Sequence, residues 1–349
     1  MPWIETPNVA QYEGSDWANY LRTVPNCTAA IAKRLALQDP SVSYFFFCRE
    51  PMILTNGRRF SPGDAVFFSG TQKPWFGSAP QCDSYQRLCV TVGYVGATES
   101  DVSAASALTY NNNPALDVII FAANLNLQST GTPDETWWMA PSAPGPTMLR
   151  ANPGLKALLE SGAVQTAQND VIAVVLCGLN NHDDAGWSEF ATDTDAEQFA
   201  AQCAHVLELY GLDGIDIDDE YSAGQAIQGS LAMVSYFVRK AIGDASFSKA
   251  LFTDVQYFSP TYNGATIGEN LTWGWTMSYW EPPQAQLAPY KGLMANEHLL
   301  CGFQAGQYQP TPEDIMGMQA AGYAGVMVYQ PAGGGAALLN QLLSYWPLP

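Results

Sequence analysis

The sequence predicts an α/β fold, a (β/α)8 TIM barrel over residues 87–349 preceded by a small α+β domain over residues 1–86. Three observations predict it. From about Leu88 onward, eight apolar runs of strand length follow one another. Between them lie stretches with apolar residues at helical spacing, such as Ala196, Phe199, Ala200, Cys203, Val206 and Leu207. The first run leads into G-Y-V-G-A-T-E-S, which lacks the G-x-G-x-x-G turn of an open doubly wound sheet. Eight strand–helix units over about 260 residues match the size of a closed barrel, so the barrel is preferred to the open sheet.

The elements follow in order. Residues 29–38 read as a helix, 42–48 as a strand, 55–63 as turns around Asn56-Gly57 and Pro62-Gly63, and 65–69 as a second strand. Trp75 and Phe76 are expected in a Gly/Pro-rich loop, packed between the domains rather than on sugar. The barrel strands are expected at 89–97, 117–125, 171–178, 212–219, 250–257, 273–279, 299–303 and 323–329. Helices are expected at 195–210 and 230–242, the second stopped by Gly243.

Lys+Arg 14 against Asp+Glu 33 gives a net charge of −19. That balance argues against nucleic acid or an anionic membrane as partner, because both need clustered cations. No apolar run reaches the ~18 residues of a membrane span. The seven cysteines, Cys27, Cys48, Cys82, Cys89, Cys177, Cys203 and Cys301, show no zinc spacing, and an odd number leaves at least one thiol unpaired within the chain. Met1–Thr6 has neither the charged nor the apolar region of a signal peptide. Secretion is expected, with a leader absent from this sequence, and a cytoplasmic location stays open.

The informative segment is L-D-G-I-D-I-D-D-E-Y at 212–221. Side chains alternate faces along a strand, which puts Asp216, Asp218 and Glu220 on one face and Ile215 and Ile217 on the other. In a barrel the acidic face points inward, with Glu220 last, at the C-terminal end where barrel active sites lie. Stacked buried carboxyls are relieved by sharing protons, which raises at least one pKa and leaves a carboxylic acid near neutral pH. That is the chemistry of protonating a glycosidic oxygen. A calcium loop is the structural alternative, but from Asp216 its sixth position is Tyr221 rather than Gly and its twelfth Ile227 rather than Glu.

D-G-I-D-I-D-D-E at 213–220 resembles the D-G-x-D-x-D-x-E signature of glycoside hydrolase family 18. With Y-G-L before it and Tyr221 after it, the segment is more similar to the endo-β-N-acetylglucosaminidase H/F branch than to chitinases, which usually carry Trp before the acid. V-I-I-F-A-A-N-L-N at 118–126, V-L-C-G-L-N-N-H-D-D-A-G-W at 175–187 and G-Y-A-G-V-M-V-Y at 322–329 resemble that branch's second, third and eighth strands. The resemblance spans residues 88–340; residues 1–86 carry none.

The resemblance implies substrate-assisted catalysis on the di-N-acetylchitobiose core of N-linked glycans, without cofactor or metal. Glu220 is then the general acid and base, Asp218 orients the substrate's 2-acetamido group, and Asp216 tunes Asp218 from one layer deeper. Tyr279, in M-S-Y-W, is implied to bond the acetamido oxygen; Trp280 stands where the family has Asp. Sugar contacts are expected from Asn124, Asn181, Trp187, Tyr221, Gln256, Trp280 and Tyr329, with Trp137, Trp138 and Tyr257 as further aromatic candidates. His182 is expected to hold its loop. The partner is an N-glycan or glycoprotein, and the enzyme is expected to act as a monomer. The alternatives are a chitinase acting on GlcNAc polymers and a non-hydrolytic glycan-binding barrel.

Overall fold

The computed structural model describes residues 3–12, 19–54, 57–69, 75–121, 125–128, 148–151, 153–170, 172–179, 187, 190–219, 227–252 and 255–346. The chain opens with Trp3–Tyr12 (β1), Tyr20–Val24 (β2), Ala29–Leu37 (α1), Tyr44–Cys48 (β3), Ala65–Phe68 (β4) and Trp75–Arg87 (β5). The five strands form one antiparallel sheet in the order β1-β5-β3-β4-β2. Its alternating aromatics fill both faces. Phe46, Phe60 and Phe68 pack on one side, and Phe45, Phe67 and Tyr85 on the other, beneath α1. Trp75 and Phe76 do not sit in a loop. They open the long strand β5, opposite Tyr12 and Gln11.

Eight parallel strands follow: Val90–Val95 (β6), Val118–Phe121 (β7), Ala173–Leu179 (β8), Gly214–Asp218 (β9), Ser246–Leu251 (β10), Trp273–Thr276 (β11), Leu299–Gln304 (β12) and Gly325–Tyr329 (β13). They close into a barrel, with β6 bonded to both β7 and β13. Seven overlap the expected runs closely. The fifth does not: β10 lies earlier, and Val255–Phe258 forms a 3-10 turn instead. In β10 the inward Ser248 and the buried Lys249 dilute the apolar pattern that marks the other strands. Helices Asp193–Tyr210 and Ser230–Ile242 stand where expected, and Gly243 ends the second with its φ at +60°. No described helix is long and apolar enough to cross a membrane.

The alternation of the strands sorts apolar side chains into two layers. Val90, Val92, Val118, Ile120, Val175 and Trp275 fill the barrel interior, while Ile119, Leu176, Ile215 and Ile217 pack outward against the helices. Each such side chain contributes roughly 1.5–3 kcal/mol by leaving water.

The front sheet closes the N-terminal end of the barrel. Leu37, the last residue of α1, joins the interior cluster, and its carbonyl accepts the Trp273 indole N–H at 3.1 Å. The Arg87 guanidinium lies over the Trp273 ring and donates to the carbonyls of Ala36 and Pro40. Arg34 pairs with Asp213, whose carboxylate also accepts the Val174 N–H and the Gln168 amide. The first acidic residue of the signature therefore holds the module to the barrel floor, far from the mouth. Removing one member of a buried pair strands the other charge. Arg34→Met is expected to cost about 2 kcal/mol, because Arg34 is partly solvated, as read from urea unfolding.

Candidate active site

Strand β9 carries the site. Gly214 starts it against the Ser246 backbone, and Ile215 and Ile217 anchor its outer face in the helix layer. That leaves Asp216 and Asp218 pointing into the barrel, as the alternation requires. Asp216 is fully buried and accepts the Ser248 hydroxyl at 2.9 Å, with the Cys177 thiol beside it. Burial pushes its carboxyl up to about 7, against the Ser248 and Cys177 contacts, which favour the charged form. Near pH 7 Asp216 therefore stands between its two protonation states.

Asp218 ends the strand at the C-terminal mouth. Its Oδ2 accepts the Tyr94 hydroxyl at 2.7 Å. Tyr94 reaches it from β6, 124 residues earlier, and its hydroxyl also lies 3.0 Å from the Cys177 sulfur. Burial, and then the charge of Asp218, hold the Tyr94 phenol well above its ordinary range, so it stays a donor. The carboxylate is thus fixed by a charge-assisted bond inside a low-dielectric site.

From Tyr94 the rings continue around the mouth. Tyr329, the last residue of β13, stands opposite Tyr94 in the ladder with ring centroids 6.1 Å apart. Tyr279, just beyond β11, stacks on Tyr329 at 5.9 Å. Both are half-buried. Trp280 is 58% exposed and meets Phe252 edge-on, leaving an aromatic face free at the rim. The structure thus brings together Asp216, Asp218, Tyr279 and Tyr329, with Trp280 nearby in sequence and space.

Trp187 does not belong to this group, and its expected sugar contact is corrected. It is fully buried, donates its indole N–H to the Gly178 carbonyl at 2.7 Å, and packs edge-on against Phe199. A Cβ at Gly178 would meet its ring at 2.6 Å, so the glycine is what lets the indole lie against β8. Gln256 is also displaced. It lies on the 3-10 turn Val255–Phe258, beyond the end of β10 rather than on it, and its side chain lies outside the described residues. Glu220, Asn124, Asn181, Tyr221, His182, Trp137 and Trp138 lie outside the described residues as well.

Tyr94, Ser248 and Cys177 escaped the sequence reading. One signal for Tyr94 exists: in V-T-V-G-Y-V it continues the inward series of Val90 and Val92 as a polar aromatic at a strand's C-terminal end. Among the described residues no cluster of three His, Cys, Asp or Glu side chains is placed to hold a metal ion.

The Asp216 shift has a signed consequence for stability. A carboxyl whose folded pKa lies above its unfolded value stabilises the fold fully below about pH 4. That contribution is lost as pH rises to about 7. Asparagine keeps the shape without the ionisation. Asp216→Asn is expected to gain on the wild type between pH 4 and pH 8 by up to about 4 kcal/mol, measured as the difference in urea unfolding at the two pH values. A difference independent of pH would contradict the buried, raised carboxyl.

No family model matches the chain. Curated relatives do. An endo-β-N-acetylglucosaminidase of Flavobacterium sp. (strain SK1022) is 33% identical over 177 residues, which is 48% of this chain and 52% of the relative. Endo-β-N-acetylglucosaminidase F1 of Elizabethkingia meningoseptica is 24% identical over 236 residues, covering 64% of this chain and 65% of the relative. The chain is thus similar in sequence to endo-β-N-acetylglucosaminidases over these stretches.

The matches span less than two thirds of the length of these curated relatives. Among solved structures, the fold is similar to that of Bacteroides thetaiotamicron EndoBT-3987, described with a Man5GlcNAc product. The TM-score is 0.55 at 15% identity, over 94% of this chain and 85% of that one. A family GH18 chitinase from Cycas revoluta gives a TM-score of 0.54 at 13% identity, over 74% of this chain and all of the other. The 94% coverage is too large to leave out the front sheet, whereas 74% is about the share of the barrel alone.

Proposed function

We propose that the protein is an endo-β-N-acetylglucosaminidase that cleaves the β-1,4 bond between the two core GlcNAc residues of N-linked glycans. It would leave one GlcNAc on the protein. The observation that carries the reading is Asp218 at the barrel mouth, held by Tyr94 and backed one layer deeper by the buried Asp216. The curated relatives' names support the same activity.

In this reading the substrate's own 2-acetamido oxygen attacks C1 and displaces the leaving sugar, whose oxygen takes the Glu220 proton. The product of that step is an oxazolinium ion with the configuration at C1 inverted. Asp218 accepts the acetamido N–H, which aims the oxygen at C1, and its charge offsets the cation that forms. Tyr279 bonds the acetamido group. Water, activated by the now anionic Glu220, then opens the ring from the opposite face, and the overall outcome is retention. Trp280 and Tyr329 offer ring faces to pyranose, while the other proposed sugar contacts are Asn124, Asn181, Tyr221 and Gln256. N-glycans sit on secreted and surface proteins, so the enzyme would work outside the cell, as a monomer.

Tyr94 acts through Asp218 as a positioning residue. Tyr94→Phe is expected to lower kcat about 10- to 100-fold with KM little changed, since one bond to a charged group is removed. Steady-state kinetics on a glycopeptide reads the split, and an unchanged kcat would show that the bond does not position Asp218.

The function itself is tested by offering the protein a panel of high-mannose, hybrid and complex glycoproteins and, separately, chitin oligomers. Release of glycan with chitin untouched is the expected outcome. Cleavage of chitin alone would make the protein a chitinase, and binding without cleavage of either would make it a glycan-binding barrel.

A further inference from the structure

Two of the seven cysteines face each other. Cys48 ends β3 and stands directly opposite Cys82 of β5 in the antiparallel ladder, with the two sulfur atoms 3.1 Å apart. Both are fully buried, in the same aromatic cluster of the front sheet, and the Met52 thioether lies 3.5 Å from Cys82. The backbone of Cys48 bonds away from β5. Its N–H donates to the Asp64 carbonyl, and its carbonyl accepts the Gly63 N–H. The flanking bond between β3 and β5 falls one residue on, from the Arg49 N–H to the Gln81 carbonyl.

Cys48 and Cys82 are therefore a non-hydrogen-bonded pair. This is the close kind, with Cα atoms roughly 4.5 Å apart and side chains directed at one another. That spacing lies within the range a disulfide spans without backbone movement. The barrel cysteines have other neighbours. Cys177 stands opposite Asp216 and Cys301 opposite Val326 in their ladders. All seven are thiols in this structure.

We infer that Cys48 and Cys82 are a redox modification site, built to close into a cross-strand disulfide when the protein meets a low-molecular-weight disulfide such as oxidised glutathione. One cysteine, as its thiolate, attacks a glutathione sulfur, forming a mixed disulfide and expelling one glutathione thiolate. The second cysteine loses its proton and attacks the first, expelling the other glutathione. Two cysteine thiols are oxidised and one glutathione disulfide is reduced to two thiols, so protons and electrons balance. The bond ties β3 to β5 in the sheet whose neighbouring helix α1 closes the barrel floor. Its effect is on the stability of that module, not on the carboxylates at the mouth. Because the thiols are buried, exchange proceeds during folding or through local opening of the sheet.

The test uses the full chain, first reduced, then held with excess oxidised glutathione a few degrees below its unfolding midpoint. A parallel sample is refolded from denaturant in the same buffer. Free thiols are trapped with N-ethylmaleimide under denaturing conditions, and the peptides are mapped by mass spectrometry without reduction. The expected result is five trapped thiols and one linked peptide pair, Cys48 with Cys82. The unfolding midpoint should rise by roughly 5 °C, a shift missing in Cys82→Ala. Seven trapped thiols in both samples, a persistent glutathione adduct on either residue, or a link between other cysteines would overturn the assignment.

Discussion

Glu220→Gln is expected to lower the hydrolysis of an N-glycopeptide by about 1,000-fold or more while glycan affinity changes less than threefold. The carboxamide keeps the size and the hydrogen-bonding reach of the acid but has no proton to give to the leaving oxygen. It also cannot take one from water in the second step. General acid–base groups contribute about 10²–10⁴-fold, and one residue serving both steps sits at the upper end. Glu220 follows Asp218 by two residues in the sequence, and Asp218 ends β9 at the C-terminal mouth of the barrel. Released glycan measured by chromatography and binding measured by calorimetry separate the two effects. Wild-type turnover in the variant would remove Glu220 as the acid. Loss of binding in step with turnover would recast it as a contact residue.

Asp218→Asn is expected to lower hydrolysis by about 100- to 1,000-fold, the size of effect seen when a preorganised charge is removed from a developing ion. Transfer from a preformed sugar oxazoline to a GlcNAc-bearing acceptor should survive in the same variant, because the step that needs the carboxylate has already been made chemically. The asparagine carbonyl still accepts the Tyr94 hydroxyl, so the site keeps its shape. Loss of both reactions together would contradict the orienting role. Survival of hydrolysis would show that the acetamido group is aimed by something else.

The strands of the barrel were readable because β-branched and aromatic runs bounded by turns have few other uses. Where inward positions are small or polar the run dissolves, and β10, with Ser248 and Ala250 inside, lies earlier than the apolar run at 250–257. The front sheet was readable only in part. Strand β1 reads W-I-E-T-P-N-V-A-Q-Y, with a proline and little alternation, and it exists through pairing with β5 more than 60 residues away. Such pairing leaves no local mark.

The site divides in the same way. Asp216 and Asp218 share one face, as the alternation predicts, because a period of two leaves no choice once the interleaved Ile residues are buried. Tyr94 and Ser248 reach that face from other strands, and only closure of the barrel brings them there. Trp187 shows the opposite error. An aromatic after a strand serves equally for sugar or for core, and Phe199 on the following helix claims it for the core. Asp213 opens the same acidic segment. Its position before β9 instead ties it to Arg34 at the barrel floor.

Cleavage between the two core sugars is tested by the intact mass of a glycoprotein carrying one high-mannose N-glycan, recorded before and after incubation with the protein and, in parallel, with Glu220→Gln. The wild type is expected to leave a single N-acetylhexosamine on an unaltered asparagine, and the variant to leave the full glycan. A glycan untouched by the wild type, or one removed whole with conversion of the asparagine to aspartate, would contradict cleavage between the two core sugars by this site.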